Sequence, residues 1–300
     1  MPENSDPSGS TGSAFSASPP TRVDLHSHTI ASDGILTPEL LVDFAVERGI
    51  GILAVTDHDT TNGLAEAISR AAGRVELWPG VELSTDVPGS EVHVLGYFID
   101  YQDVALNETL ARLRESRLDR GEEIVRRLNE LGLPVSWERV RELAGAGAVG
   151  RPHIAQAMVE AGHVATFRDA FDHYIGRNGP AYVERVKLTP PESIDLILRS
   201  GGMPVLAHPT YIAPEGDKTF DLRGYVAELL PAGLVGIEAY YGSYTPEQSR
   251  EMQSIAVELG LIPTGGTDYH GGNVSSTMLG DVEVPWATVE RMRAWRAGRR

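Results

Sequence analysis

The chain contains no cysteine. That absence excludes disulfides and thiolate zinc sites, so a bound metal would have to be held by His, Asp, Glu and water. No apolar run reaches the roughly 18 residues of a bilayer-spanning helix. Positive charge is scarce: 26 Lys and Arg stand against 42 Asp and Glu, for a formal net charge of −16. This argues against a broad cationic surface for duplex nucleic acid or an anionic membrane. A phosphorylated substrate is not excluded, because bound divalent cations reverse the local field. The first 20 residues, "MPENSDPSGSTGSAFSASPP", lack the basic start and apolar centre of a signal peptide. Rich in Ser, Pro and Gly, they read as a disordered tail. A cytoplasmic location is the default expectation. No internal repeat and no GxxxxGK[ST] phosphate loop is evident.

What is present is an alternation of strands and helices over 300 residues, 41% of them apolar. "RVDL" (22–25), "IGILAVT" (50–56), "VEL" (75–77), "GVELS" (80–84), "EVHVLGYFI" (91–99), "MPVLAH" (203–208), "LVGIEAYY" (234–241) and "LIPTGGTD" (261–268) read as strands. Thr37 and Pro38 open a helix that stops near Gly49, with Leu40, Leu41, Phe44 and Ala45 on one face. A second helix runs from Leu64 to Ala72. Thr189 to Glu192 and Thr245 to Gln248 fit capping boxes. The stretch 104–187 differs: a long charged helix over 107–131 and shorter ones near 136–144, 152–161 and 166–174, with no core strand. It reads as a helical insertion in an α/β barrel-like domain made of residues 21–103 and 188–300.

The reactive residues gather at strand C-termini, where parallel βα architectures place their ligands. His26 and His28 follow the first strand; Asp57 and His58 follow the second; Glu82 and His93 lie in the next ones. His208 ends "PVLAH", and Asp268 and His270 end "PTGGTDYH". Any single strand-end His is usually just half buried. The constellation is a different matter: imidazoles and carboxylates together suit Zn, Mn or Fe. Carboxylates bridging two ions would clamp a phosphoryl group and activate water.

"DLHSHTIASDG", "LAVTDHDT", "PGVELS", "HVLGY", "VLAHP" and "GGTDYHG" together resemble the polymerase and histidinol phosphatase (PHP) superfamily of metallophosphoesterases. The resemblance covers about residues 22–285. "GRPHIA" and "AYVERVKLTPPESIDLI" make the chain similar to the TrpH-like branch, which holds 3′,5′-nucleoside bisphosphate phosphatases and 5′-to-3′ exoribonucleases. The resemblance implies a distorted (β/α)7 barrel with a mostly helical insertion. It also implies two or three divalent ions, manganese first, with iron and zinc as alternatives. One ion falls to His26, His28, Glu82 and Asp268; a second shares Glu82 and takes His93 and His208; a third uses Asp33, His58 and His270. Asp33 stands where other members carry a His. A metal-bridging water held by Glu82, Asp268, His208 and His270 is the implied nucleophile. The implied substrate is a small phosphorylated nucleotide, cleaved at the 3′-phosphate, or a short oligonucleotide. An exoribonuclease, a histidinol-phosphate phosphatase and a non-catalytic polymerase-associated module are the alternatives. No duplex nucleic acid, membrane or protein partner is expected.

Around this set, Asp57 reads as a residue that orients a ligand His, and Asp59 as a cap for the following helix. Glu91 is assigned to the strand face opposite His93. His163 and His173 receive no role. The charge of 107–131 reads as a solvated helix face with Glu–Arg pairs. Arg151 and His153 flank Pro152 at a helix start, where free amides and an Arg fork suit phosphate. Lys187, with Arg177 and Arg185 nearby, is the third substrate-binding candidate. Tyr241 and Tyr244, in "EAYYGSYTPEQ", replace imidazoles that some relatives carry.

Overall fold

In the computed structural model, residues 22–87, 90–145, 149–184, 187–212, 219–272 and 277–299 are described. The expected tail over 1–20 and Arg185 lie outside them. The strands are β1 (Arg22–Asp24), β2 (Ile50–Val55), β3 (Glu76–Val87), β4 (Ser90–Tyr97), β5 (Met203–Leu206), β6 (Gly236–Tyr241) and β7 (Ile262–Gly266). They form one seven-stranded sheet in sequence order. Its ends meet through a bridge between Ser27 and Tyr269, with His28 N donating to the Tyr269 carbonyl at 2.9 Å. The sheet is thus nearly closed into a barrel, as the resemblance implied. Gly266 makes the closure possible, since a Cβ there would lie 2.4 Å from the His26 nitrogen.

The barrel is not uniformly parallel. β4 pairs antiparallel with both β3 and β5. The two strands expected at 75–77 and 80–84 are one long strand, β3. Its first residues pair parallel with β2 as far as Pro79, and its later ones pair with β4 from Gly80 onward. Pro79 donates no ladder hydrogen bond, and it sits where the partner changes. Because β4 runs backwards, His93 comes near its beginning and not at its C-terminal end, yet reaches the same rim as the other ligand candidates.

Alternation along the strands separates two apolar clusters. Leu53, Val55, Val81, Leu83, Val92, Val94, Ile237 and Ala239 pack outward on helices α1 (Pro38–Glu47), α2 (Leu64–Ala71), α7 (Pro190–Arg199) and α9 (Pro246–Glu258). Ile52, Ala54, Leu95, Tyr97 and Val205 face inward, joined by Val289 and Met292 of α10 (Trp286–Ala297). Each aliphatic side chain fully buried this way contributes about 1.5–3 kcal/mol. Thr37 caps α1, accepting from Leu40 N, and the capping boxes at Thr189 and Thr245 both form. Leu40 itself is exposed, because the buried face of α1 centres on Leu41, Val42 and Ala45.

Between β4 and β5 lie α3 (Val104–Glu130), α4 (Trp137–Ala144), α5 (Arg151–Glu160) and α6 (Phe167–Ala170), the last continuing as a wide turn to Ile175. These elements share an apolar cluster of their own, including Ile124, Leu128, Val140, Ile154 and Met158. Helix α8 (Leu222–Leu229) follows β5.

Candidate metal centre and active site

Glu82 is fully buried in β3 and surrounded by imidazoles. Its Oε2 lies 3.0 Å from His26 Nε2, 3.2 Å from His28 Nε2 and 3.3 Å from His58 Nδ1. Its Oε1 lies 2.9 Å from His93 Nδ1 and 3.0 Å from His208 Nε2. Asp268 Oδ1 approaches His26 Nε2 at 3.2 Å and His28 Nε2 at 3.0 Å. A further group forms around Asp33, with His270 Nε2 at 3.3 Å and His58 Nε2 at 3.8 Å. The structure therefore brings together all nine metal-ligand candidates. Among the described residues, three sets have donor atoms close enough to share an ion: His26, His28, Glu82 and Asp268; His28, Asp33, His58 and His270; and His58, Glu82 and His93. The third differs from the expected second site, with His58 in place of His208, which meets Glu82 but falls in none of the three.

The donors fit a cation better than they fit each other. His58 Nδ1 is buried and makes no hydrogen bond despite Glu82 beside it. Such an orphaned buried nitrogen costs about 1–3 kcal/mol, a cost that a cation at the focus of these lone pairs removes. Without one, the charges strain against burial. Burial pushes the His28 imidazole down, but Asp268 and Glu82 outweigh it and raise it to about 10. Burial dominates at His58, which falls to about 4 despite Glu82 and Asp33. Glu82 is pushed up by burial, yet His58, His26 and His93 hold it well below the usual carboxylate range.

Neighbouring side chains fix these candidate ligands. Glu238, fully buried in β6, meets His26 Nδ1 at 2.9 Å and accepts from the His208 backbone N–H at 2.8 Å. Asp24 accepts from Thr267 N and Oγ1, Gly280 N and His26 N, tying the end of β1 to the loop that carries Asp268. Asp57 accepts from Thr29 N, Thr29 Oγ1 and Ser32 Oγ, each at 2.7 Å, and so shapes the loop after His28. Tyr241 OH donates to Asp268 Oδ2 at 2.6 Å, leaving Oδ1 for the histidines. His270 Nδ1 meets the Asp268 carbonyl at 2.9 Å, which turns Nε2 toward Asp33. Asp59, His208 and Asp268 all hold positive φ, of 50°, 26° and 53°. Strain of this kind persists where the surroundings over-determine the backbone.

A cavity of about 680 Å³ opens from the Asp33, His58, His93 and His270 side toward the helices between β4 and β5. Arg151 and His153 line it, whereas Lys187 does not. Lys187 instead bonds Glu91, whose other oxygen accepts from Arg151 at 3.4 Å. Glu91 thus shares the cavity with His93, contrary to expectation: residues two apart on a strand face the same way. His153 Nδ1 accepts from Gly150 N at 3.0 Å, leaving its other nitrogen for the cavity.

Asp59 does not cap α2, whose N-cap is Gly63. Its buried carboxylate accepts from Ser84 N at 2.9 Å and from Arg117 Nε at 3.0 Å. Arg117 also reaches Ser84 Oγ at 2.7 Å, and Arg114 donates to the Asp59 carbonyl at 3.0 Å. Part of α3's charge is therefore not solvated but fastens that helix to the barrel rim. Arg117 and Arg120 also line the cavity. A signal for Arg117 existed: it takes one position in the buried stripe Leu106, Leu110, Leu113, Gly121, Ile124, Leu128. Glu238 left a fainter one, a lone acid between apolar residues in "VGIEAYY".

The model of the PHP domain matches residues 24–142. The chain is 39% identical over 255 residues to the 5′-3′ exoribonuclease Rnm of Salmonella typhimurium, covering 82% of this chain and 84% of that one. It is 32% identical over 263 residues to the 3′,5′-nucleoside bisphosphate phosphatase of Chromobacterium violaceum, covering 87% and 91%. A crystal structure from Bifidobacterium adolescentis, described as a metal-dependent phosphoesterase, superposes with a TM-score of 0.80 at 30% identity, covering 92% of this chain and 97% of that one. The chain belongs to the PHP domain family.

Proposed function

We propose that this protein hydrolyses the ester between phosphorus and the 3′-oxygen of small 5′-phosphorylated nucleotides, with 3′,5′-nucleoside bisphosphates as the simplest substrates. It is a metal-dependent phosphoesterase, a hydrolase, like its relatives. The observation that carries the reading is Glu82, which offers one oxygen to His26, His28 and His58 and the other to His93 and His208. His26, His28, Glu82 and Asp268 would hold one ion; Glu82, His93 and His208 a second; Asp33, His58 and His270 a third. Divalent ions held there would lower the pKa of bound water and neutralise phosphoryl oxygens. Manganese is the ion we put first, and iron or zinc would suit the same nitrogen and oxygen donors.

The protein's own groups position the substrate. Arg151 and His153 face the cavity from the start of α5 and suit the 5′-phosphate, with residues 104–187 serving as a substrate cap. Phe167, Phe171, Ile124 and Ile154 give the same cavity an apolar wall suited to a base. Lys187 acts at one remove, through Glu91. A second reading, a 5′-to-3′ exoribonuclease on short RNA, is favoured by the 39% identity to Rnm. It needs no new chemistry, because the same P–O3′ bond breaks. Residence in the cytoplasm belongs to this proposal; among the described residues no helix is long and apolar enough to cross a membrane.

The test is phosphate release by manganese-loaded protein from adenosine 3′,5′-bisphosphate, with histidinol phosphate as control. AMP and inorganic phosphate are the expected products. Turnover of histidinol phosphate alone, or of neither compound, would overturn the proposal.

A further inference from the structure

The buried cluster borders two adjoining spaces that share His58, Glu91 and His93. Besides the cavity under the helices, a second space of about 290 Å³ is lined by His58, Glu91, His93, His208, Tyr211, Tyr241 and Asp268. Among the described residues, the exposed Phe, Tyr and Trp side chains are Phe167 and Tyr211. Each lines one of these spaces. Tyr211 is 56% exposed but not loose. Its hydroxyl pairs with Ser243 Oγ at 2.6 Å, and its ring meets His208 at 5.8 Å and Tyr241 at 6.0 Å, both edge to face. A ring held in place at the edge of a phosphoester site while staying exposed is suited to stacking on a base.

We infer that the second space receives the nucleotide on the 3′ side of the scissile phosphorus, with Tyr211 as its stacking platform. The inference rests on the phosphoesterase reading above and assigns a residue that selects oligonucleotides over bisphosphates. The bond chemistry fits a layout of two adjoining spaces, one lined by Arg151 and the other by Tyr211. The oxygen of water bonds to phosphorus as P–O3′ breaks. The electron pair leaves with O3′, which takes up a proton and becomes the 3′-hydroxyl of the released 5′-nucleotide. Phosphorus stays on the 5′-oxygen of the remaining chain. In a bisphosphate that far side carries no nucleotide; in RNA it carries the rest of the strand. The released nucleotide then belongs to the cavity with Arg151, and the remaining strand to the side with Tyr211. The shortened strand keeps a 5′-phosphate, as the next cycle requires.

The experiment compares wild type, Tyr211→Ala and Tyr211→Phe on adenosine 3′,5′-bisphosphate and on a 5′-phosphorylated tetraribonucleotide. A stacked base is worth enough that Tyr211→Ala should lower kcat/KM on the tetramer roughly tenfold or more. It should leave the bisphosphate within about twofold, and Tyr211→Phe should keep most tetramer activity. A second readout needs no turnover: with metal chelated, 2-aminopurine at the second position of the tetramer should be quenched on binding wild type and Tyr211→Phe, but not Tyr211→Ala. Equal losses on both substrates would overturn the platform role and place Tyr211 in support of His208. An unchanged tetramer rate in Tyr211→Ala, or a wild type that cleaves only the bisphosphate, would also overturn it while leaving the phosphatase reading intact. A wild type inactive on both would overturn the two together.

Discussion

Glu238 and Glu82 hold the two nitrogens of the His26 ring between them, Nδ1 at 2.9 Å and Nε2 at 3.0 Å. When Nδ1–H donates to Glu238, the lone pair on Nε2 points at Glu82 and Asp268, where a cation would sit. Partners of this kind typically change metal affinity 10–100-fold when removed. Glu238 also holds the His208 backbone N–H, so it positions two candidate ligands at once.

Glu238→Ala should therefore bind manganese roughly 10–100-fold more weakly and lose activity that excess metal partly restores. Elemental analysis after dialysis and a metal titration of activity check this. Parental metal content and activity at limiting manganese would remove Glu238 from the positioning role.

Metal loading should expel protons. In the metal-free protein His28 rises to about 10 from an ordinary value near 6.5, so it carries a proton at pH 7 to 8 that an incoming ion must displace. Apparent affinity should rise with pH through this range. Calorimetry in two buffers of different ionisation enthalpy should report net proton release. The sign for stability follows from the same shift. A raised folded-state value contributes stability fully present below about 6.5 and lost as pH climbs through about 10. The chelated protein should melt progressively lower between pH 7 and 10, and a flat melting profile would contradict the protonated His28.

Arg117 and Asp59 form a buried ion pair joining α3 to the rim. Removing Arg117 takes the counter-charge from a buried carboxylate that still accepts from Ser84 N, at up to about 3–5 kcal/mol. Arg117→Ala should lower unfolding free energy by that order, whereas Arg117→Ala combined with Asp59→Ala should cost less than the two single changes added. Urea melts of the four proteins give the coupling energy directly. Strict additivity would mean the pair is incidental.

Asp33, in the loop after His28, was reached only through the resemblance. Most of the candidate metal ligands were legible because they end or interrupt apolar strands, where a charged or imidazole side chain has no packing role. Glu238 shares that property, but a single acid without a motif around it carries little weight. Strand direction was hidden: nothing local in "EVHVLGYFI" shows that β4 runs antiparallel, since pairing partners decide it. Arg117 was obscured by abundant charge on α3. Its place in the apolar stripe becomes visible only when the helix is read at its own period, ignoring composition. Glu91 is a different case: period two already placed it beside His93, and the misplacement came from treating neighbours in sequence as opposite in space.

Glu91 is also the basis of the last prediction. Its carboxylate occupies the space between Arg151 and Lys187 at the edge of the cavity, accepting from both. If Arg151 grips the 5′-phosphate, the substrate must compete with that carboxylate for the guanidinium. Two changes should then move binding in opposite directions. Arg151→Ala removes a charged hydrogen bond worth about 1.5–3 kcal/mol, so kcat/KM for adenosine 3′,5′-bisphosphate should fall by roughly one to two decades. p-Nitrophenyl phosphate, which has no second phosphate, should be nearly unaffected. Glu91→Gln keeps the shape but removes the competing charge and one source of anionic repulsion. It should lower KM for the bisphosphate several-fold and leave p-nitrophenyl phosphate unchanged. Measuring KM for both substrates in both variants separates the possibilities. If Glu91→Gln raises KM as Arg151→Ala does, Glu91 holds Arg151 in its working position and does not compete with the phosphate. If Arg151→Ala harms both substrates equally, Arg151 serves the metal centre or the fold, and the cap does not read the 5′-phosphate through it.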